Sequence, residues 1–538
     1  MSQNSASLER RLLLTAEEVA SGTFHLFWGG GLATLLSAIC AMIVARLLGP
    51  ELYGIYALAF VVPGFLMLFT DYGVSPALTR FVALHESRGE GGMVLRVLKV
   101  GLPFSFTVSI AVFIVGIMFV EQLTTTLTNR PEIAYLTAMC MILILVQPIS
   151  AAASNALLGF RDMRACAAID VVRQALRALL SPLLVILGFS VAGAITGYVV
   201  AFSIGALTSL ILLYRHYRRI REGSVRAGEV QGDSFQRVLP RMISYGLPLY
   251  LSGILYGLTS TLQGVVLAYS VTNELIGNFR AALSATIPIT LISSPVATSL
   301  FPAFSKLSSD GGSKTLFSFS VKYTAALIVP ATVFIALMSR DLILLLYGEG
   351  YVHAPLYLTM YSATYLLAGL GSTVLGSFFS GIGASSINFK AAALYTIVFA
   401  SLAPPLTFTF KVEGMLLAII MATTTSTLYG LMMAVKRYKM ILDLKASAKI
   451  YLASLLASLT IMPLTLHQLL PSIVNLIVGA LVYLVAYLTI APLLRVLTKR
   501  ELEGLTSIFS TITILAPIVK VVSKYEDKLL KFVSPSAD

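Results

Sequence analysis

Apolar windows of roughly 20 residues, each long enough to cross a hydrocarbon core of about 30 Å, recur along the chain from near Leu36 to near Val485. The windows are continuous rather than alternating, so the pattern predicts helices and not strands. Fourteen spans are expected, and the fold class that follows is an all-α polytopic membrane protein. The fifth window is the least apolar, because it carries Asp170, Arg173 and Arg177. Past the last window, "SIFSTITILAPIVKVV" is too short to span and holds Pro517 near its middle, so an amphipathic segment lying on the inner membrane face is expected. The first thirty residues place "LERRLLLTAEEVA" ahead of the first window, and that helix is expected to remain in the protein.

The windows repeat. "ELYGIYALAF" from Glu51 has an echo in "ELIGNFRAAL" from Glu274, so that Glu51, Leu52, Gly54 and Ala59 match Glu274, Leu275, Gly277 and Ala282 at a spacing of 223. Gly159 meets Gly381 and Pro182 meets Pro404 at 222, and Val191 and Gly193 meet Val412 and Gly414 at 221. A near-constant offset marks an internal duplication. Each copy holds six spans, an even number, so both copies share one orientation and are related by an axis along the membrane normal. The expected organisation is an N-lobe over 1–214, a basic cytoplasmic linker over 215–241, a C-lobe over 242–440, two further spans over 441–497 and a tail over 498–538.

Composition and charge sharpen this picture. Hydrophobic residues make up 57% and charged residues 12%, with a mean hydropathy of +0.87, which excludes a soluble globular chain. With the N-terminus inside, 30 of the 38 Lys and Arg fall on the cytoplasmic side and four, Arg46, Arg130, Arg340 and Lys411, fall outside. Both termini are then cytoplasmic, and the bias together with attraction to anionic lipid accounts for the net charge of +13 without nucleic acid. Cys40, Cys140 and Cys166 suggest neither a disulfide framework nor a metal site.

No loop is long enough for a catalytic domain outside the membrane, and the chain lacks D-x-D, H-E-x-x-H, G-x-S-x-G and the phosphate-cradling G-x-x-x-x-G-K-[ST]. Transport is expected rather than enzymatic chemistry, with no cofactor and no metal, driven by an ion gradient, the membrane potential or the substrate's own gradient.

The runs "ARLLGPELYGIYALAF" from Ala45, "DYGVSPALTRFVA" from Asp71 and "NALLGFRDMRA" from Asn155 resemble the polysaccharide-transport family of Wzx-type flippases, which shares a superfamily with lipid II flippases and multidrug exporters. The second half is similar mainly through the repeat and "LFPAF" from Leu300. The resemblance implies translocation of a polyprenyl-(di)phosphate-linked oligosaccharide from the inner to the outer leaflet of the cell membrane, by alternating access of a cationic cavity between the lobes. Implied partners are that glycan lipid, membrane lipids and glycan-assembly enzymes. A cation-coupled exporter of small drugs is the alternative, and an acidic residue at mid-membrane would favour it.

Charged residues inside apolar windows are the site candidates, since a buried charge must meet water, a counter-charge or a ligand. Arg280 lies about 9 Å below the outer edge of the eighth span. Its planar fork suits phosphate oxygens, while snorkelling to the interface or pairing with Glu274 is the competing reading. Asp170, Arg173 and Arg177 form one polar stripe, read either as an ion pair of Asp170 with Arg173 or as a cavity lining reached by Arg177. Gln263 in the seventh span is a further cavity candidate. Asp71 and Arg80 resemble the family's pattern and are read as a gate salt bridge or a helix cap, with contact with substrate as the alternative. Gly30, Pro63, Pro248 and Pro288 mark the first two spans of each lobe as those best able to bend, with close helix packing by the glycines as the alternative.

Overall fold

The computed structural model describes residues 2–226, 235–307, 313–467, 471–494 and 496. The proposed cytoplasmic tail and the middle of the basic linker lie outside the described residues. Helices account for every regular element among those described, and no strand occurs there. The chain forms two compact units, Met1–Arg280 with Ala403–Val412 and Ala281–Leu402 with Glu413–Asp538. The division does not coincide with the lobe boundary expected at the 215–241 linker.

In the first unit, α1 (Ser2–Ala59) is interrupted at Gly49, whose φ of 74° and ψ of 170° end one helix. Pro50 then opens the next, at a position where its missing N–H costs nothing. There follow α2 (Val61–Met67), α3 (Val74–Ser87), α4 (Gly91–Met118), α5 (Val120–Thr128), α6 (Ala134–Gly159), α7 (Met163–Leu184) and α8 (Ser190–Arg226). Between α7 and α8, Val185–Phe189 is wound as a π-helical turn containing Gly188 at φ 93°. Asp162 caps α7 by accepting from the Ala165 amide at 3.0 Å, and its other oxygen meets His216 of α8 at 3.0 Å. The core here is aliphatic, with Leu78, Val94, Leu98, Leu157 and Ile169 buried together. The first unit also takes in α9 (Phe235–Ser270) and the start of α10 (Asn273–Ser284). They are held against α1, α2 and α3 by approaches that only glycine permits: a Cβ on Gly54 would strike the Asn273 carbonyl, and one on Gly246 would strike Gly73.

The second unit continues with α11 (Ile287–Leu307), α12 (Ser313–Leu337), α13 (Ser339–Tyr347), α14 (Ala354–Leu366), α15 (Ser372–Gly381), α16 (Ser385–Tyr438), α17 (Leu444–His467) and α18 (Ser472–Leu493). One core packs Phe304, Phe317, Phe378 and Phe379. A second joins α12, α17 and α18 through Val329, Ile450, Ile461 and Tyr483. The fully buried Asn475 of α18 donates to Asp341 of α13 at 2.8 Å.

The duplication read from sequence is visible in the backbone. A nine-residue helix follows the third span of each copy, α5 after α4 and α13 after α12. Ser190 and Lys411, 221 positions apart, adopt φ/ψ of 49°/−135° and 52°/−133° at equivalent turns. Arg161 has φ 59° where Gly383 has φ 76°, an offset of 222. One element differs between copies. Where α6 runs unbroken, its counterpart is split into α14 and α15, bent by 50° with Gly371 at φ 85° between them.

Nine helices among the described residues are long and apolar enough to cross a membrane, or up to eleven if each of two bent pairs is one span. The expected fourteen are not reproduced by that count. Three of the nine, Trp28–Met67, Met163–Gly223 and Ser385–Tyr438, are 40, 61 and 54 residues long. Straight, they would reach about 60–90 Å, two to three times the hydrocarbon thickness. Each contains one of the non-helical breaks at Gly49, Gly188 to Ser190, or Phe410 and Lys411.

Candidate functional site: half-buried arginines of the first unit

The polar stripe of the fifth window lies on α7, which packs between α1 and α8. Arg173 donates to Asp170 Oδ1 at 2.5 Å, with the two side chains 23% and 44% exposed. Its guanidinium also lies 4.8 Å from the Phe202 ring centroid, and one turn on Arg177 lies 4.5 Å from that of Tyr198. Two cations at i,i+4 on α7 therefore face two aromatics at i,i+4 on α8, as two rungs between antiparallel helices. Arg177 further donates to Ser37 Oγ at 3.2 Å, and Tyr56 stands beside it. Among the described residues, the Nε of each arginine is buried without a hydrogen-bond partner. The unpaired buried N–H groups carry a desolvation cost that an acceptor oxygen would offset.

Arg280 sits on α10 and is half-buried. Its guanidinium lies 6.0 Å from the Phe279 ring centroid, and its Nε is buried with no hydrogen-bond partner among the described residues. Glu274 is exposed in the first turn of α10, and among the described residues no carboxylate pairs with Arg280. A guanidinium within a membrane helix is costly unless it meets water, a counter-charge or an anion, and its planar fork matches phosphate or carboxylate oxygens. Gln263 is half-buried on α9.

Asp71 and Arg80 are not brought together. Asp71 Oδ1 accepts from the amide and the hydroxyl of Ser75, at 3.0 and 2.5 Å, and so caps the first turn of α3. Arg80 instead lies 4.1 Å from the Tyr245 ring centroid.

The expected hinge residues fall at different kinds of place. Pro63 is buried within the short α2, which ends before a non-helical stretch containing Gly73 at φ 81°. α9 bends by 44° between Leu251 and Gly253, just beyond Pro248. Pro288 occupies the first turn of α11, where proline breaks nothing. Around Gly30 there is room, since a Cβ there would meet nothing within 4 Å.

The cations stand out in the sequence, but what holds them does not. Tyr198, Phe202, Tyr56 and Ser37 were passed over because aromatic and small hydroxyl residues are ordinary in membrane helices; the i,i+4 spacing of Tyr198 and Phe202, matching that of Arg173 and Arg177, is the signal that could have found them.

A duplicated bundle of long apolar helices with cations held inside it is the architecture of a multi-pass membrane transporter. Residues 19–308 match the family described as "Polysaccharide biosynthesis protein", more than half of the chain, and the protein belongs to that family. The resemblance read from the runs at Ala45, Asp71 and Asn155 falls inside the matched segment. The chain is 24% identical over 456 residues to the lipid II flippase MurJ of Bacillus subtilis (strain 168), covering 79% of this chain and 83% of that one. It is 25% identical over 323 residues to the succinoglycan biosynthesis transport protein ExoT of Rhizobium meliloti (strain 1021), covering 59% and 60%. Among solved structures, an inward closed conformation of lipid II flippase MurJ matches with a TM-score of 0.65 at 16% identity, over 86% of this chain and 97% of that one. An inward-facing multidrug resistance transporter of the MATE family and MOP superfamily matches with a TM-score of 0.62 at 16% identity, over 76% and 94%. These two structures share the fold.

Proposed function

We propose that this protein is a flippase that moves a polyprenyl-(di)phosphate-linked oligosaccharide from the inner to the outer leaflet of the cell membrane. It does so by alternating access, without catalysing a covalent step, and both of its termini are cytoplasmic. The observation that carries the reading is Arg280, a guanidinium on a membrane helix with an unpartnered, buried Nε and no carboxylate partner among the described residues. An anionic phosphate headgroup supplies the bidentate acceptor that such a side chain lacks. Family membership and the two curated relatives, a lipid II flippase and a succinoglycan transport protein, support a glycan-lipid substrate. Each of the three over-long helices counts as two spans, which raises eleven to fourteen and keeps both termini on the side richer in Lys and Arg. Glycan-assembly enzymes are the natural neighbours, since the cargo must be built before it is moved.

The test is a leaflet assay in sealed proteoliposomes, following how fast a labelled polyprenyl-diphosphate oligosaccharide becomes accessible to an impermeant reagent. Protein-dependent movement that is lost in Arg280→Ala supports both the cargo and the arginine's role. Movement retained in the variant keeps the cargo and removes Arg280 from the site. Absence of movement across several glycan lipids, with an imposed potential, overturns the flippase reading in favour of drug export.

A further inference from the structure

The repeat pairs Arg173 with Tyr395 at an offset of 222, and Phe202 and Tyr198 with Thr423 and Ile419 at 221. In the first unit the Arg173 guanidinium occupies the space against the Phe202 ring. In the second unit, Tyr395, Ile419 and Thr423 all line a cavity of about 260 Å³. The positions that the repeat sets opposite Arg173, Tyr198 and Phe202 thus line a cavity in the second copy.

The lining has a definite chemistry. Tyr361 and Tyr365 stand edge to face, with ring centroids 6.0 Å apart and an interplanar angle of 82°, and Tyr395 adds a third phenol. Hydroxyls come from Thr364, Ser372, Thr373 and Thr423, and Thr373 Oγ1 is buried with no hydrogen-bond partner among the described residues. None of the lining residues is charged. The cavity lies at the break between α14 and α15, where the partly negative C-terminal end of one helical segment meets the partly positive N-terminal end of the next, so the two end charges offset. An anion would meet no cationic partner there. A small hard metal ion would meet no carboxylate, although such ions draw most of their binding from oxygen ligands that replace a full hydration shell. Aromatic faces with hydroxyl acceptors suit a weakly hydrated, delocalised cation that donates N–H bonds at its edge.

We propose that this cavity is a binding site for a small organic cation of the guanidinium class, which takes in the second unit the place filled by the Arg173 side chain in the first. The site does not depend on the flippase reading, and its test does not use transport.

The experiment is isothermal titration of the purified full-length protein in nanodiscs with phenylguanidinium and with phenylurea, its planar neutral isostere. The expected result is that phenylguanidinium binds and phenylurea binds roughly tenfold more weakly or not at all. Tyr395→Leu should weaken phenylguanidinium by roughly tenfold, by removal of one aromatic face. Tyr395→Arg combined with Thr423→Phe rebuilds the first unit's pair within the second, and should abolish binding with elution volume and melting temperature retained. If that double variant does not fold, Tyr395→Leu decides alone. Equal binding of the two probes, no binding of phenylguanidinium to the wild type, or undiminished binding by Tyr395→Leu would each overturn the proposal.

Discussion

Gly54 and Gly277 occupy the same place in the two copies of the repeat, and each lies against the backbone at the start of the other's motif. A Cβ on Gly54 would overlap the carbonyl of Asn273, the residue before Glu274. One on Gly277 would overlap the carbonyl of Pro50, the residue before Glu51. The contact is reciprocal, which explains why the phrase Glu-Leu-x-Gly is written twice: each copy supplies the glycine that lets the other's helix start pass at backbone distance. Gly54→Ala or Gly277→Ala should destabilise the purified protein by about 1–3 kcal/mol, because the blocking atoms are main chain and cannot rotate away. Gly30→Ala, where a Cβ has room, serves as the control and should leave the melting temperature unchanged or raised.

The ion pair on α7 makes a second prediction. Asp170 and Arg173 are only partly buried, so their coupling is modest. A double-mutant cycle with Asp170→Asn and Arg173→Gln, read by thermal unfolding in detergent, should return about 1 kcal/mol or less. A coupling several times larger would show that the pair is sealed from water.

In the second unit, Asn475 is buried and holds α18 to the Asp341 carboxylate of α13. Asn475→Ala leaves that carboxylate without this donor and should cost about 1–3 kcal/mol, seen as a lower melting temperature. Replacing both residues, with Asp341→Leu and Asn475→Leu, should recover part of the loss, because no unpaired polar group then remains.

Arg130 ties the segment after α5 to the turn between α9 and α10. Its Nε donates to Asn273 Oδ1 and its Nη2 to the Val271 carbonyl, both at 3.2 Å, while Tyr269 donates to the Thr126 carbonyl at 2.7 Å. Arg130→Ala removes both bonds to this turn and should cost the purified protein about 1–3 kcal/mol, seen as a lower melting temperature. Arg130→Lys should behave like alanine, since one ammonium does not reproduce a planar fork that spans two acceptors.

Much of this architecture was legible in the residues. Apolar windows and the offset near 222 announced a duplicated helical membrane protein, and charges inside windows picked out Asp170, Arg173, Arg177 and Arg280. The turns at Ser190 and Lys411 were not legible, because neither position carries the glycine that a positive φ favours, and so the hairpins read simply as neighbouring spans. The break at Gly371 was also hidden, since one glycine between apolar stretches is compatible with a continuous helix. Asp71 showed its charge but not its partner: whether a carboxylate caps a helix or pairs with Arg80 depends on where the chain breaks, and the break at Gly73 turns it towards Ser75. The tyrosine-lined cavity draws on α12, α14, α15 and both limbs of α16, a coincidence that no local pattern encodes.

The turn at Arg161 carries a further consequence. Its counterpart Gly383 adopts a positive φ freely, whereas an arginine there holds a conformation that costs an L residue on the order of 1 kcal/mol. The native fold gains nothing from this at the backbone, and glycine would relieve it. On the topology proposed above this short loop faces the cytoplasm, and a positive charge in such a loop helps to decide which side it keeps while the helices are being threaded into the bilayer. One of the two equivalent turns is therefore suited to comfort in the finished protein, and the other to being inserted the right way round.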